Sequence, residues 1–454
     1  MSRLLLVTPL VLTRFDKVEI ACWFLFGSLN IFGNLVANRL GVTFSRMIAF
    51  ACSGAQDLSP IRKAGERRGD GRPHWPLVFE AYGTLGSLQG LLGVFAGLAA
   101  WGMGHFGLSN LLEGYLDAGH IRAAFAVFVI STTISFTYQK YAVTLIGLNK
   151  VAITNRIDAV FSLLSIGAGV VTLSMGGGIF TLALVMQSFS MLGLIRNRWL
   201  LRMLESGRFR TAPSYCWNRQ IMGWAWEPTW KSMAGKLANT GLIQASGIIF
   251  AKYGAPSEVA SYLLANRLLT VAAGLAVTPF FSRIPIFARW LSEGHTERLQ
   301  KEVPNRIATA SVLLAAAILA GAVFVNPLLH LIKSNIPFLP SDLWLVIGAA
   351  MLIVNFGQLN ASATAIGNHV ILYKEQFLTS LVCVGLMMYL TPRFGVWGLV
   401  AGMYGPLVGF LTIQSILVGA RYLSLNPWVF CRRSFLPVFS IFSVLAVVIA
   451  WFHR

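Results

Sequence analysis

Charge is scarce in this chain. Asp, Glu, Lys and Arg together make up 12% of its 454 residues, and only 17 of them are acidic. About a quarter is usual for a soluble domain. The five cysteines, Cys22, Cys52, Cys216, Cys383 and Cys431, are scattered and form no CxxC pair. That excludes a disulfide framework and a cysteine metal site. The start, "MSRLLLVTPLVLTRF", has no small-residue cleavage site and reads poorly as a signal peptide. There is no phosphate loop, no HExxH, no nucleophile elbow and no cofactor fingerprint. The glycine triplet 176–178 reads as a turn rather than a phosphate cradle. No cofactor is expected, and no enzyme activity.

What the chain has is apolar length. Hydrophobic residues make up 56% of it, and the mean hydropathy is +0.67. The apolar residues fall in blocks of about twenty, the number that matches a ~30 Å hydrocarbon layer in an α-helix. The blocks are 3–13, 18–38, 77–101, 121–147, 154–174, 178–195, 232–252, 257–281, 306–330, 342–366, 371–391, 396–419 and 434–452. The fold class is therefore all-α and polytopic, with 12–13 transmembrane helices. The first block is short for a crossing.

The net charge of +19 is placed by topology. Alternate loops hold Arg62, Lys63, Arg67, Arg68 and Arg72, then Lys140, Lys150 and Arg156, then Arg196, Arg198, Arg202, Arg208, Arg210 and Arg219. The opposite loops hold only Arg14, Lys17, Arg122, Lys252, Lys333, Arg393 and the terminal Arg454. The positive-inside rule puts the first set in the cytoplasm, so nucleic acid is not needed to explain the charge. The basic loops also suit anionic lipid headgroups. Outer loops are short; "TPRFG" at 391–395 reads as a tight turn. The organisation read from this is an N-terminal lobe 1–195, a basic linker 196–231, a C-terminal lobe 232–419 and an extension 420–454 with one more apolar helix.

The two lobes repeat. Glu19–Trp23 and Glu258–Tyr262 open equivalent spans with similar residues, and Gly147 to Gly178 is spaced as Gly367 to Gly398. Repeated halves related by an axis along the membrane normal are a transporter feature, with a substrate site between them. "ANRL" at 37–40 and 265–268 does not fit this register, so its two arginines are not equivalent.

Arg267 is the most informative residue. It lies nine residues past Glu258, roughly 13 Å down the helix. A base at that depth faces a watered cavity or a partner. A pair to a neighbouring helix is the competing reading, but acids within spans are few. Polar stripes run along other spans: Asn30, Asn34 and Asn38; Lys236, Asn239, Thr240 and Gln244; Asn355, Gln358 and Ser362; and "STTISFTYQK" at 131–140. Such stripes also act as interhelical glue. Arg39 and Arg46 follow the first stripe. The expected substrate-binding set is Arg267, Lys236, Arg46, Arg39, Asn34, Asn38, Asn239, Gln244, Asn355 and Gln358. Asp158 is a structural or coupling acid: it pairs with Arg156 or a lumenal base, or carries a coupling proton. Asp16, Glu19 and Glu258 lie at outer span starts. A positive cavity suits a phosphate or pyrophosphate.

The chain resembles polysaccharide and oligosaccharide-lipid flippases, the O-antigen type, of the multidrug/oligosaccharidyl-lipid/polysaccharide exporter superfamily. The stretch ending in Leu40, Gly41 and Arg46 is similar to the family's second helix. "YGAPSEVASYLLANRLLTVAAGLAVTPFFSRIPIFARWLSEG", with Tyr262, Arg267, Pro285 and Ser292-Glu293-Gly294, resembles its eighth. "LIGLNKVAITNRIDAVFSLLSIGAGVV" and 365–391 resemble its inter-helix loops. The resemblance implies two six-helix lobes around a central cavity and alternating access in a bacterial inner membrane. Its cargo is a lipid-linked anionic oligosaccharide, with membrane lipids and polysaccharide-assembly proteins as partners. The short first span and the unpaired thirteenth depart from the pattern. A multidrug antiporter of the same superfamily is the alternative; its cargo is typically cationic and calls for deep acids. A membrane polymerase or glycosyltransferase is disfavoured by the short outer loops. An inert scaffold in a cell-envelope complex is the remaining possibility.

Overall fold

The computed structural model describes residues 2–55, 58, 72–284, 286–287, 290, 295–364 and 372–452; the side chains of 2–6, 32–39, 205–206, 227–228, 231–232, 236–237, 239, 364 and 452 are outside that description. Among the described residues every regular element is helical. The chain divides into two compact units, Met1–Gln244 and Ala245–Arg454.

Unit 1 contains α1 (Ser2–Arg14), α2 (Lys17–Cys52), α3 (Trp75–Leu111), α4 (Ala118–Tyr138), α5 (Lys140–Gly147), α6 (Val151–Ser174), α7 (Ile179–Met203) and α8 (Arg219–Lys236). α2 starts cleanly because Asp16 and Glu19 form a reciprocal cap: Glu19 N donates to Asp16 Oδ1 at 2.8 Å, and Asp16 N to Glu19 Oε2 at 3.2 Å. The Tyr115 hydroxyl, from the loop before α4, also donates to Asp16. Burial first, and that carboxylate second, push the Tyr115 phenol up, so it stays protonated and keeps donating. α2 packs on α3, α3 on α4, α4 on α7, and α6 on α7. Glycines let α3 and α4 approach: a Cβ on Gly97 would lie 2.1 Å from Thr133 Oγ1, and one on Gly93 2.5 Å from Thr137 Oγ1.

A π turn, Leu237–Gly241, follows α8 and joins it to α9 (Leu242–Tyr253). The extra residue falls inside the polar stripe read at Lys236–Gln244, where α periodicity does not foresee it.

Unit 2 continues with α10 (Pro256–Ala276), α11 (Thr278–Phe281), α12 (Thr296–Leu331), α13 (Ser341–Thr364), α14 (Tyr373–Pro406), α15 (Ile413–Tyr422), α16 (Pro427–Ser434) and α17 (Leu436–Phe452). α13 seats on α12 through Trp344, whose Nε1 donates to Ile318 O at 2.9 Å. Gly321 lies beneath that indole and Gly348 beside Ile318. A second π turn, Leu407–Thr412, separates α14 from α15.

Eight helices among the described residues are long and apolar enough to cross a membrane, or nine if α16 and α17, bent by 47°, form one span. One of the eight, Tyr373–Tyr422, is itself two antiparallel spans. The reversal sits at Gly395, φ 57° and ψ −137°, a conformation that glycine adopts freely. Cys383 Sγ donates to Met403 O across the hairpin at 3.2 Å. The apolar blocks 371–391 and 396–419 are these two arms, and "TPRFG" is the turn. The protein is a multi-pass membrane protein, and side chains such as Leu163, Phe324 and Val447, all more than half exposed, face outward into the apolar layer.

The hairpin gives a test of packing. A Cβ on Gly402 would lie 2.7 Å from Met387 N, whereas nothing lies within 4 Å of one on Gly385. Gly402→Leu is expected to cost about 1–3 kcal/mol by overpacking. Gly385→Ala is expected to add up to about 1 kcal/mol by helix propensity. Unfolding midpoints of the two variants in detergent check both signs.

Candidate functional site

Unit 2 carries a layer of polar side chains across α9, α10, α13 and α14. α10 is positioned at its start: Pro256 takes the first helical position, and Ser261 Oγ donates to Pro337 O at 2.6 Å, tying it to the loop before α13. One residue on, the Tyr262 hydroxyl bonds Ser246 Oγ at 2.8 Å, and its ring stands edge-on to Phe250. The Tyr404 hydroxyl donates to Met351 Sδ at 3.9 Å.

Arg267 follows five residues after Tyr262. Its side chain is 8% exposed. Its Nη1 is buried and has no hydrogen-bond partner, and it forms no ion pair with a described residue. On the adjoining α13, Asn355 is buried with its Oδ1 unpartnered. Arg267 lies about 16 Å along α10 and Asn355 about 21 Å along α13, both counted from the same end, so both fall near mid-span. A donor and an acceptor thus stand open at similar depth on neighbouring helices. Gln358 is half-buried one turn further along α13.

An unpaired guanidinium in a low-dielectric interior costs several kcal/mol. No described residue partners its Nη1, which makes Arg267 a candidate for a ligand from outside the chain. Chemically, it can hold an anion by charge-assisted hydrogen bonds, with Asn355 available to accept from a hydroxyl.

The other sequence-predicted residues stand as follows. Arg46 is exposed near the end of α2, and Gln244 is buried at the end of unit 1. The side chains of Asn34, Asn38, Arg39, Lys236 and Asn239 lie outside the described residues, as do Pro285, 291–294 and 365–371. Asp158 is half exposed and pairs with Arg196 of α7, whose guanidinium also donates to Asn197 Oδ1 and stacks over Phe161. Its partner is therefore a base one helix away, not Arg156 on its own helix.

Sequence reasoning missed three residues. Lys140, counted among the loop bases, is fully buried. The signal available was its flanking by Tyr138 and Tyr141. Gln89 is fully buried in α3 with neither amide atom partnered. Asn360 is fully buried in α13; its Nδ2 donates to Phe356 O at 2.8 Å and its Oδ1 is open. It lies off the Asn355–Gln358–Ser362 stripe and so drew no notice. Among the described residues no three His, Cys, Asp or Glu side chains are grouped to hold a metal.

If the open guanidinium stabilises nothing, an apolar side chain of similar length should hold the fold better. Arg267→Met is expected to be neutral or to stabilise by about 1 kcal/mol or more. A lower unfolding midpoint than wild type in the same detergent would show that Arg267 braces the fold.

No protein-family model matches the chain, and no curated protein matches it in sequence. A solved structure described as an inward-facing conformation of a multidrug resistance MATE family transporter of the MOP superfamily matches its fold, with a TM-score of 0.66 and 14% identity. The match covers 93% of this chain and 94% of that one. The chain has the fold of that membrane transporter along almost its whole length.

Proposed function

We propose that the protein is a transporter that flips a polyprenyl-diphosphate-linked oligosaccharide across the bacterial cytoplasmic membrane by alternating access. The observation that carries the reading is the sign of the buried charge. Among the described residues the two buried charged residues are Lys140 and Arg267, both bases, and of the two only Arg267 has an open donor; no Asp or Glu is buried as a whole, although Glu375 has one buried oxygen. A cationic drug would need the opposite sign to offset its own desolvation. A diphosphate suits Arg267, since a guanidinium donates through several N–H groups to phosphate oxygens. Asn355, with its open carbonyl oxygen, would accept from sugar hydroxyls.

The fold likeness to a multidrug resistance transporter supports a second reading, extrusion of a drug coupled to an ion. On that reading an unpaired acid within a span would bind the ion; Asp158 is half exposed and already held by Arg196, whereas Glu375 in α14 has a buried, unpartnered Oε2.

The two readings separate in proteoliposomes. A fluorescent polyprenyl-diphosphate disaccharide should cross to the opposite leaflet with wild type and be slowed at least tenfold by Arg267→Ala. Arg267→Lys should retain part of the rate, because charge is kept and bidentate geometry is lost. Ethidium efflux driven by a proton or sodium gradient, unchanged in Arg267→Ala, would favour the drug antiporter instead.

A further inference from the structure

The segment between α7 and α8 is polar and reads as a linker. Its second half is laid against α3 of unit 1. Cys216 N donates to Gly83 O at 3.2 Å, and Ser87 Oγ donates to Cys216 O at 2.8 Å. Asn218 Nδ2 donates to Glu80 Oε2 at 2.8 Å, and Asn218 N to Thr84 Oγ1 at 3.3 Å. Two glycines make the floor of this seat. A Cβ on Gly86 would stand 2.3 Å from Ser214 O, and one on Gly83 2.5 Å from Cys216 Sγ. Any larger residue at either position would push the segment off.

From α5, Lys140 closes the seat. Its Nζ donates to Ser214 O at 2.8 Å and lies 3.7 Å from the centroid of the Tyr215 ring. Tyr82 and Tyr141 complete an aromatic cage at 5.4 and 5.5 Å. No described carboxylate pairs with this ammonium, and Arg198 of α7 stands close enough to act on it as a like charge. The cage supplies what a carboxylate would, through the ring faces.

We propose that Lys140 is a reversible latch, which holds residues 213–218 in their seat on α3 and lets them leave as a piece while unit 1 stays folded. Two features make the hold reversible rather than permanent. An ammonium has three donors and the carbonyl takes one, so release exposes to water a group that water hydrates well. An apolar plug of the same size would instead be driven back by its own exposure. The segment itself contributes little apolar burial, since Tyr215 and Trp217 are each about half exposed. Its bonds are to fixed points, the Gly83 carbonyl and the Ser87 and Thr84 hydroxyls, so it returns to one position. Residue 218 immediately precedes α8, so freeing the segment frees the start of that helix.

Hydrogen–deuterium exchange of the full chain in detergent tests this. In wild type, peptides covering 213–218 should exchange faster than those of α3, because the seat opens locally. Lys140→Met should speed exchange in 213–218 at least tenfold and leave α3 unchanged. Tyr215→Leu, at an exposed position that folding tolerates, should speed the same peptides several-fold by removing the nearest ring. If neither variant alters 213–218, the latch is overturned. It is overturned equally if α3 exchanges together with 213–218, in wild type or in the variants, since the segment would then leave only on unfolding.

Discussion

The interior of a membrane protein offers no water to a stranded charge, and this constraint organises the whole structure. Among the described residues no acid is buried as a whole, though half-buried Glu375 keeps one carboxylate oxygen buried without a partner. Asp16 caps α2, and Asp158 sits half exposed against Arg196. Two bases break the rule, and they break it differently. Lys140 is buried but answered, by a carbonyl and three tyrosine rings. Arg267 is buried with an open Nη1. The first arrangement is a mechanical contact within the protein. The second leaves one donor open among the described residues.

Backbone satisfaction works alongside charge. Every described crossing is a helix, and where helices come close, glycine removes the side chain that would hold them apart: Gly93 and Gly97 at Thr137 and Thr133, Gly321 at Trp344, Gly402 at Met387. This explains how a solved transporter with 14% identity shares the fold over 93% of the chain. The fold asks for apolar length and small residues at crossings, which many sequences satisfy. A cargo asks for particular side chains, and those are where two proteins of one fold are free to differ.

The crossings were legible because their signal is length and composition, which survive without knowledge of neighbours. The hairpin at Gly395 was legible from "TPRFG" between two apolar runs. Arg267 was legible because a base within twenty apolar residues stands out. Lys140 was not, because it lies at a span end, where bases are common; only the tyrosines that α3 and the 213–218 segment bring to it make it buried. The π turns were invisible for a related reason: they arise where packing demands one extra residue, not from a residue type. Asn360 belongs to the same class, since a lone amide in a span gives no sign of which face will be closed.

The central proposal is that position 267 meets an anionic cargo rather than lipid or a partner within the fold. Arg267→Cys, in a chain whose native cysteines are replaced by serine, can be probed in vesicles with small charged thiosulfonates. The account predicts ready modification by water-soluble reagents, slowed by a lipid-linked diphosphate sugar. Modification by a membrane-permeant maleimide alone, with both charged reagents inert, would contradict it.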